Sequence, residues 1–136
     1  VTASDISMPA LAKARRGVYH ARKLALMAPE FRGRYFVGTE ASEYRVLQEI
    51  QRKICFVQVN VLELEQASVG EMDVIFCQNM LIYFRRWRKR QIVNKLVEKL
   101  RVGGLLVLGL GEITGWQHPW VERVEYDGTL AFRRVK

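Results

Sequence analysis

The chain predicts an α/β fold: a mostly parallel sheet with an antiparallel C-terminal edge and a small β-rich insert. Three observations carry this. Short apolar runs at 54–59, 73–77 and 105–110 are bounded by polar residues or glycine, as strands of a covered parallel sheet are. Between the second and third, Ile92, Val93, Leu96, Val97 and Leu100 recur at helical spacing. The tail from 121 to 135 alternates around Asp127-Gly128, a dipeptide suited to a tight hairpin turn.

Taken in order, residues 1–6 read as the end of a strand. Ser7 is placed to cap a helix with Pro9 in its first turn and Ala10, Leu11 and Ala14 on one face, stopped by Gly17. Residues 18–36 are mixed, with a second short helix after Pro29. Gly38-Thr39 makes a turn, and alternation around Tyr44-Arg45-Val46-Leu47 marks short strands, so 35–53 is taken as a small β-subdomain inserted in the sheet. The strand at 54–59 stops at Asn60. The run 73–77 is expected to be a buried strand, then a loop, then a helix from about 86 to 100 that Gly103-Gly104 terminates. A strand at 105–110 and the terminal hairpin complete the sheet. There is no internal repeat.

The chain's 136 residues are the size of one domain, long enough to bury a core and short for a complete enzyme. Half the residues are apolar and a quarter charged, which excludes disorder, and no apolar run reaches the roughly 18–20 residues of a membrane helix. Cys55 and Cys77 each sit in an apolar run and read as buried thiols of a reducing compartment. With no signal-peptide pattern at the first residues, the expected location is the cytoplasm, for this chain or for a protein containing it. A net charge of +8 favours an acidic partner without naming it: nucleic acid, an acidic protein surface or a membrane face.

Ligands of open α/β sheets bind outside the carboxyl ends of the strands. Asp5 closes the first strand, Asn60 the next, and Gln78-Asn79 the third. An acid there can accept both hydroxyls of a ribose, and amides can read an adenine edge or hold an amino-acid moiety, so together they describe a nucleoside-type cofactor site. Each also has a plain structural reading. Asp5 can favour the helix N-terminus, Asn60 can be a turn residue, Gln78-Asn79 a loop start, and Tyr83 an ordinary core aromatic with its hydroxyl at the surface.

The stretch Asp73-Val74-Ile75-Phe76-Cys77-Gln78-Asn79-Met80-Leu81-Ile82-Tyr83-Phe84, followed by a helix, by Gly103-Gly104-Leu105-Leu106 and by Gly109 with Glu112, resembles the chemotaxis receptor glutamate methyltransferases of the CheR type. The resemblance extends upstream through Ala3-Ser4-Asp5-Ile6, Gly17, Tyr19, Arg34-Tyr35-Phe36, Phe56 and Asn60. It implies a Rossmann-like S-adenosylmethionine-dependent methyltransferase that forms methyl esters on glutamates of a chemoreceptor's cytoplasmic helices, leaving S-adenosylhomocysteine. It further implies that Asp5 holds the cofactor ribose, Asn60 and Val61 border the adenine, Gln78 and Asn79 line the methionine side, and Tyr83 is the catalytic residue beside the transferred methyl. No metal is implied, and the protein is not membrane-embedded. The family's cofactor loop and helical N-terminal domain would lie upstream of Val1, so this segment alone is expected to bind cofactor weakly and transfer poorly.

Three positions depart from the family pattern: Gln78 replaces an arginine, Leu110-Gly111 replaces His-Ser, and Gly38-Thr39-Glu40 keeps one of two turn glycines. Neither His20 nor His118 falls in a site motif, and both read as structural or surface residues. The run Arg85-Arg86-Trp87-Arg88-Lys89-Arg90 has five cations in six residues at a helix start, where the dipole favours acids. It is either a solvated face or, through Arg86 and Arg88, a surface attracting acidic receptor helices. Two alternatives remain: a basic nucleic-acid-binding module using Trp87 and Tyr83 for stacking, and a degenerate methyltransferase-fold scaffold.

Overall fold

The computed structural model describes residues 1–39, 42–67, 70–126 and 128–136. The chain divides into two compact units, Val1–Asn60 and Val61–Lys136.

In the first unit, strand β1 (Thr2–Asp5) leads through Ser7 into helix α1 (Met8–Arg16). The Ser7 Oγ accepts from the Ala10 N–H at 3.3 Å, a hydroxyl cap for one of the donors a helix start leaves open. Gly17 ends the helix at φ 62°, donating its N–H to the Lys13 and Ala14 carbonyls. A left-handed residue is needed there, and a Cβ would also press on the Gln51 amide. Strand β1 pairs in parallel with a strand of residues Cys55–Gln58, in the register Thr2↔Cys55 to Asp5↔Gln58. Arg15 Nη2 donates to the Phe56 carbonyl at 2.9 Å, tying the helix to that second strand.

A three-stranded antiparallel sheet lies between them in sequence. Its strands are β2 (Val18–His20), β3 (Phe36–Gly38) and β4 (Glu43–Val46), in the order β2-β4-β3. Helix α2 (Pro29–Tyr35) precedes β3, with Pro29 at its start, and a single helical turn, α3 (Gln48–Gln51), precedes the Cys55–Gln58 strand, β5. The inserted sheet therefore differs from its expected boundaries. It recruits Val18–His20 from ahead of residue 35 and ends at Val46, because β4 needs a partner on each side and His20, Tyr19 and Val18 pair with Glu43, Tyr44 and Arg45. Glu40, in the Gly38-Thr39-Glu40 turn, lies outside the described residues.

In the second unit, strand β6 (Met72–Cys77), helix α4 (Arg86–Glu98) and strand β7 (Leu100–Leu108) form a parallel strand–helix–strand unit. Strands β8 (Val121–Tyr126) and β9 (Thr129–Arg134) add antiparallel, giving the order β6-β7-β9-β8. All five residues of the expected helical stripe are buried: Ile92, Val93, Leu96 and Val97 on α4, and Leu100 at the start of β7. With Leu81, Leu106, Leu108 and Ala131 they make the core of this unit. Of the hairpin turn, Gly128 has φ 68°, and Asp127 lies outside the described residues.

Three expectations are corrected here. Helix α4 ends at Glu98, and Gly103-Gly104 instead sit inside β7. The pairing jumps there from Met72↔Leu100 to Val74↔Leu105, a bulge. Gly103 has φ 83°, and a Cβ on Gly104 would lie 2.9–3.1 Å from the carbonyl oxygens of Arg101, Met72 and Asp73. Strand β6 is buried on one face only. Ile75 and Cys77 pair with the fully buried Leu106 and Leu108, whereas Val74 and Phe76, which alternate to the other face, are 43% and 75% exposed. Cys55 is exposed, while Cys77 is buried, and both thiols are free.

The C-terminal end of α4 is covered by a side chain from the hairpin. Arg134 Nη1 donates to the carbonyls of Val97 (3.3 Å), Glu98 (3.2 Å) and Leu100, and its guanidinium lies over the Trp120 ring at 5.1 Å. A cation on orphan helix carbonyls satisfies acceptors and complements the dipole at once. Arg134→Met is expected to lower stability by about 1–3 kcal/mol, read as a shifted urea midpoint at unchanged slope.

Candidate functional site

In the first unit, Asp5 and Asn60 occupy the same end of the parallel pair β1/β5. Asp5 is the last residue of β1, and its carbonyl accepts from the Val59 N–H at 3.1 Å, one residue before Asn60. The Asp5 Oδ1 accepts from the Ser7 N–H at 2.8 Å, so the carboxylate is oriented by the backbone that enters α1. This is the structural role foreseen for it, and it leaves the exposed carboxylate at the strand's carboxyl end. Gln58 Nε2 donates to the Ile6 carbonyl at 2.9 Å and closes the same edge.

In the second unit, Val61 begins a 3-10 turn (Val61–Glu63), and the remaining candidates lie between the carboxyl end of β6 and the first turn of α4. Gln78 and Asn79 follow Cys77 directly. Asn79 has φ 58°, a left-handed conformation that asparagine tolerates better than most residues. The chain then makes a 3-10 turn, Leu81–Tyr83, whose two ends differ sharply in exposure: Leu81 is fully buried and Tyr83 is 80% exposed. Leu81 is the anchor and Tyr83 the projecting tip.

The residue that organises this loop is Glu112, which the sequence offered only as part of a family motif. It is 4% exposed, the buried charged residue of the described core. Its Oε1 accepts from the Leu81 N–H at 3.0 Å and its Oε2 from the Gly109 N–H at 2.8 Å. One carboxylate thus spans the loop after β6 and the loop after β7. Gly109 has no side chain because a Cβ there would collide with the carboxylate. The one available signal was a lone acid inside the apolar run Leu105-Leu106-Val107-Leu108-Gly109-Leu110-Gly111-Glu112-Ile113, since a buried charge must be compensated.

The arginine-rich start of α4 divides into two groups. Lys89 Nζ donates to the Glu112 carbonyl at 2.9 Å and Arg90 Nη2 to the Gly115 carbonyl at 2.7 Å, so these two hold the 109–116 segment. Arg88 lies over the Trp87 ring at 4.2 Å and donates to Gln91, with both residues on the exposed side. The run is therefore neither wholly a solvated face nor wholly a docking surface. Further along, Trp116 Nε1 donates to Asn94 Oδ1 at 2.9 Å and Trp116 packs edge-on against Phe132 at 4.9 Å. His20 Nδ1 and His118 Nδ1 each accept from a backbone N–H two residues on, a local structural role.

Burial, reinforced by the nearby Glu112 charge, pushes the Cys77 thiol up to about 12. It stays neutral at physiological pH and is no nucleophile. Because its folded value exceeds that of an unfolded thiol, near 9, the unfolded chain binds fewer protons between those values, and stability falls as pH rises through that window. The Cys77→Ala variant is expected to show a shallower loss of urea midpoint between pH 8.5 and 10.5 than the parent. Equal slopes would mean that Cys77 does not contribute.

Among the described residues, no group of three or more His, Cys, Asp or Glu could hold a metal ion, and no helix is long and apolar enough to cross a membrane.

The parallel strand–helix–strand unit with its antiparallel terminal hairpin is an arrangement shared with the methyltransferase folds. Two solved structures share this fold. The N-methyltransferase NodS from Bradyrhizobium japonicum aligns over 99% of this chain and 73% of its own, with a TM-score of 0.55 and 15% identity. An rRNA-methylase assigned in Clostridium thermocellum aligns over 100% and 73%, with a TM-score of 0.53 and 12% identity. Residues 1–128 match the family described as CheR methyltransferase, SAM binding domain, and the chain belongs to that family. It is 39% identical to the chemotaxis protein methyltransferase of Salmonella typhimurium and 37% identical to that of Escherichia coli, each over 115 residues, or 82% of this chain and 40% of theirs. It is 36% identical to chemotaxis protein methyltransferase 2 of Pseudomonas aeruginosa, over 82% of this chain and 41% of that protein. The chain thus spans about two fifths of the length of these relatives.

Proposed function

We propose that the protein transfers a methyl group from S-adenosylmethionine to glutamate side chains of a chemoreceptor's cytoplasmic helices, as part of chemosensory adaptation in the cytoplasm. What carries this reading is the family match over residues 1–128, a stretch that contains Asp5, Asn60, Val61, Gln78 and Asn79. Asp5 would hold the ribose hydroxyls, Asn60 and Val61 the adenine, and Gln78 and Asn79 the amino-acid end. Each position suits its proposed part: the Asp5 carboxylate is oriented at the end of β1, and the left-handed Asn79 turns the amide pair out of the sheet at the end of β6. When bound, the cofactor would supply an electrophilic methyl group carried on a sulfonium. A glutamate is ionised at neutral pH, so no base has to remove a proton, which agrees with the neutral Cys77 and the structural histidines.

Incubating the complete protein with methyl-labelled cofactor and receptor-bearing membranes should yield base-labile methyl esters. Cofactor binding with no ester formed would favour the scaffold reading. Steeply salt-dependent capture of single-stranded nucleic acid would favour the other alternative. That module is weakened by Lys89 and Arg90, whose charges are spent on the chain's own carbonyls.

Arg86 and Arg88 remain the candidates for attracting an acidic receptor helix. Reversing both charges is expected to raise KM for receptor about tenfold at low salt, with cofactor affinity unchanged and the effect fading near 0.5 M salt. An unchanged KM at low salt would leave them as surface cations.

A further inference from the structure

Glu112 is used by nothing in the proposed chemistry, yet it is the charged group most deeply placed beside it. Desolvating a carboxylate is costly, and a core position between Leu81, Gly109 and Ile113 would be filled more cheaply by an apolar side chain. Its two oxygens are instead shared between two backbone donors, Leu81 and Gly109, that belong to different loops. Its own carbonyl is held by Lys89 from the first turns of α4. Three elements, the loop after β6, the loop after β7 and the start of α4, therefore converge on one residue. Gly109 is shaped to admit the carboxylate.

We propose that Glu112 is a positioning residue, which fixes the height and orientation of the Leu81–Tyr83 turn through the Leu81 N–H and so sets where the Tyr83 side chain projects. The geometry separates two jobs. The buried Leu81 side chain fastens the turn to the core. The Glu112 carboxylate, bonded at its other oxygen to Gly109, adds a second fixed point and ties the turn to the end of β7. A glutamine could accept at only one oxygen and would set its NH₂ against a backbone N–H, whereas an aspartate is one methylene too short to span both donors. The catalytic consequence rests on the proposed role of Tyr83; the positioning itself does not.

The test uses the complete protein with 3-fluorotyrosine incorporated, comparing the parent with Glu112→Gln, Glu112→Asp and Gly109→Ala. Val97→Ala, a core truncation on α4, serves as a destabilised control. Hydrogen exchange at the Leu81 amide is expected to rise at least tenfold in the three site variants beyond the change in Val97→Ala, and the Tyr83 fluorine resonance to shift or broaden. Where the parent methylates receptor, kcat is expected to fall at least tenfold with cofactor affinity and receptor KM within twofold. An unmoved Leu81 amide or Tyr83 resonance would overturn the proposal. So would a kcat loss no larger than in Val97→Ala. Should the parent transfer no methyl group, the proposed function fails, while exchange and fluorine readouts still decide whether Glu112 positions the turn.

Discussion

Replacing Tyr83 by alanine is expected to lower kcat for receptor methylation about a hundredfold while leaving cofactor affinity within a factor of two. The magnitude is what misplacing reactants by about an ångström costs when catalysis is chiefly alignment. Tyr83 suits this role because of how it is held. Its turn is pinned by the fully buried Leu81, yet its own ring is 80% exposed, so removing the ring should leave the core intact. Thermal denaturation checks that second half: a midpoint within about 2 °C of the parent, together with the rate loss, is the expected pair. Tyr83→Phe divides the effect further, since a hydroxyl that contacts the incoming carboxylate accounts for whatever loss phenylalanine does not restore. Parent-like turnover in Tyr83→Ala would remove Tyr83 from the site.

The second large effect is expected at Asp5. Asp5→Ala should weaken cofactor binding by about 30- to 300-fold, the loss of two charge-assisted hydrogen bonds to vicinal hydroxyls at about 1.5 kcal/mol each. The same substitution removes the acceptor for the Ser7 N–H at the entrance to α1 and should cost about 1 kcal/mol of stability. Asp5→Asn separates the two, because an amide oxygen can still accept from Ser7 but cannot accept from both hydroxyls. Weak binding with parent stability in Asp5→Asn is the expected outcome by isothermal titration and urea unfolding. Unchanged binding in both variants would leave Asp5 as a helix-entry residue alone.

How much of this was legible in the residues follows from whether the signal was local. The α4 stripe of Ile92, Val93, Leu96 and Val97, the Ser7 and Gly17 caps and the terminal hairpin are set by periodicity and by cap chemistry within a few residues, and the structure has them. Gly103-Gly104 was misread because a glycine pair after a helix is the usual stop signal. Here Gly104 answers to the carbonyls of Met72 and Asp73 on a neighbouring strand, and Gly103 to a left-handed φ of 83°. Strand β2 is three residues long with no alternation to reveal it, and it exists because β4 has an edge to fill. The exposed faces of Phe76 and Cys55 depend on what covers a sheet, which a run of apolar letters does not specify. Glu112 was the hardest to see. A lone acid in an apolar run becomes a bridge only once folding brings the Leu81 and Gly109 donors to its two oxygens.

The Arg134 cover on the end of α4 also sets an order of events during synthesis. The carbonyls it satisfies belong to residues made 34 to 37 positions earlier. At translation rates of about 5–20 residues per second, the finished end of α4 waits some 2–7 s for its partner to be added. The strand pair β1/β5, by contrast, is complete once residue 58 is made. Strand β1 thus has its β5 partner in the chain before the last turn of α4 has its Arg134 cover.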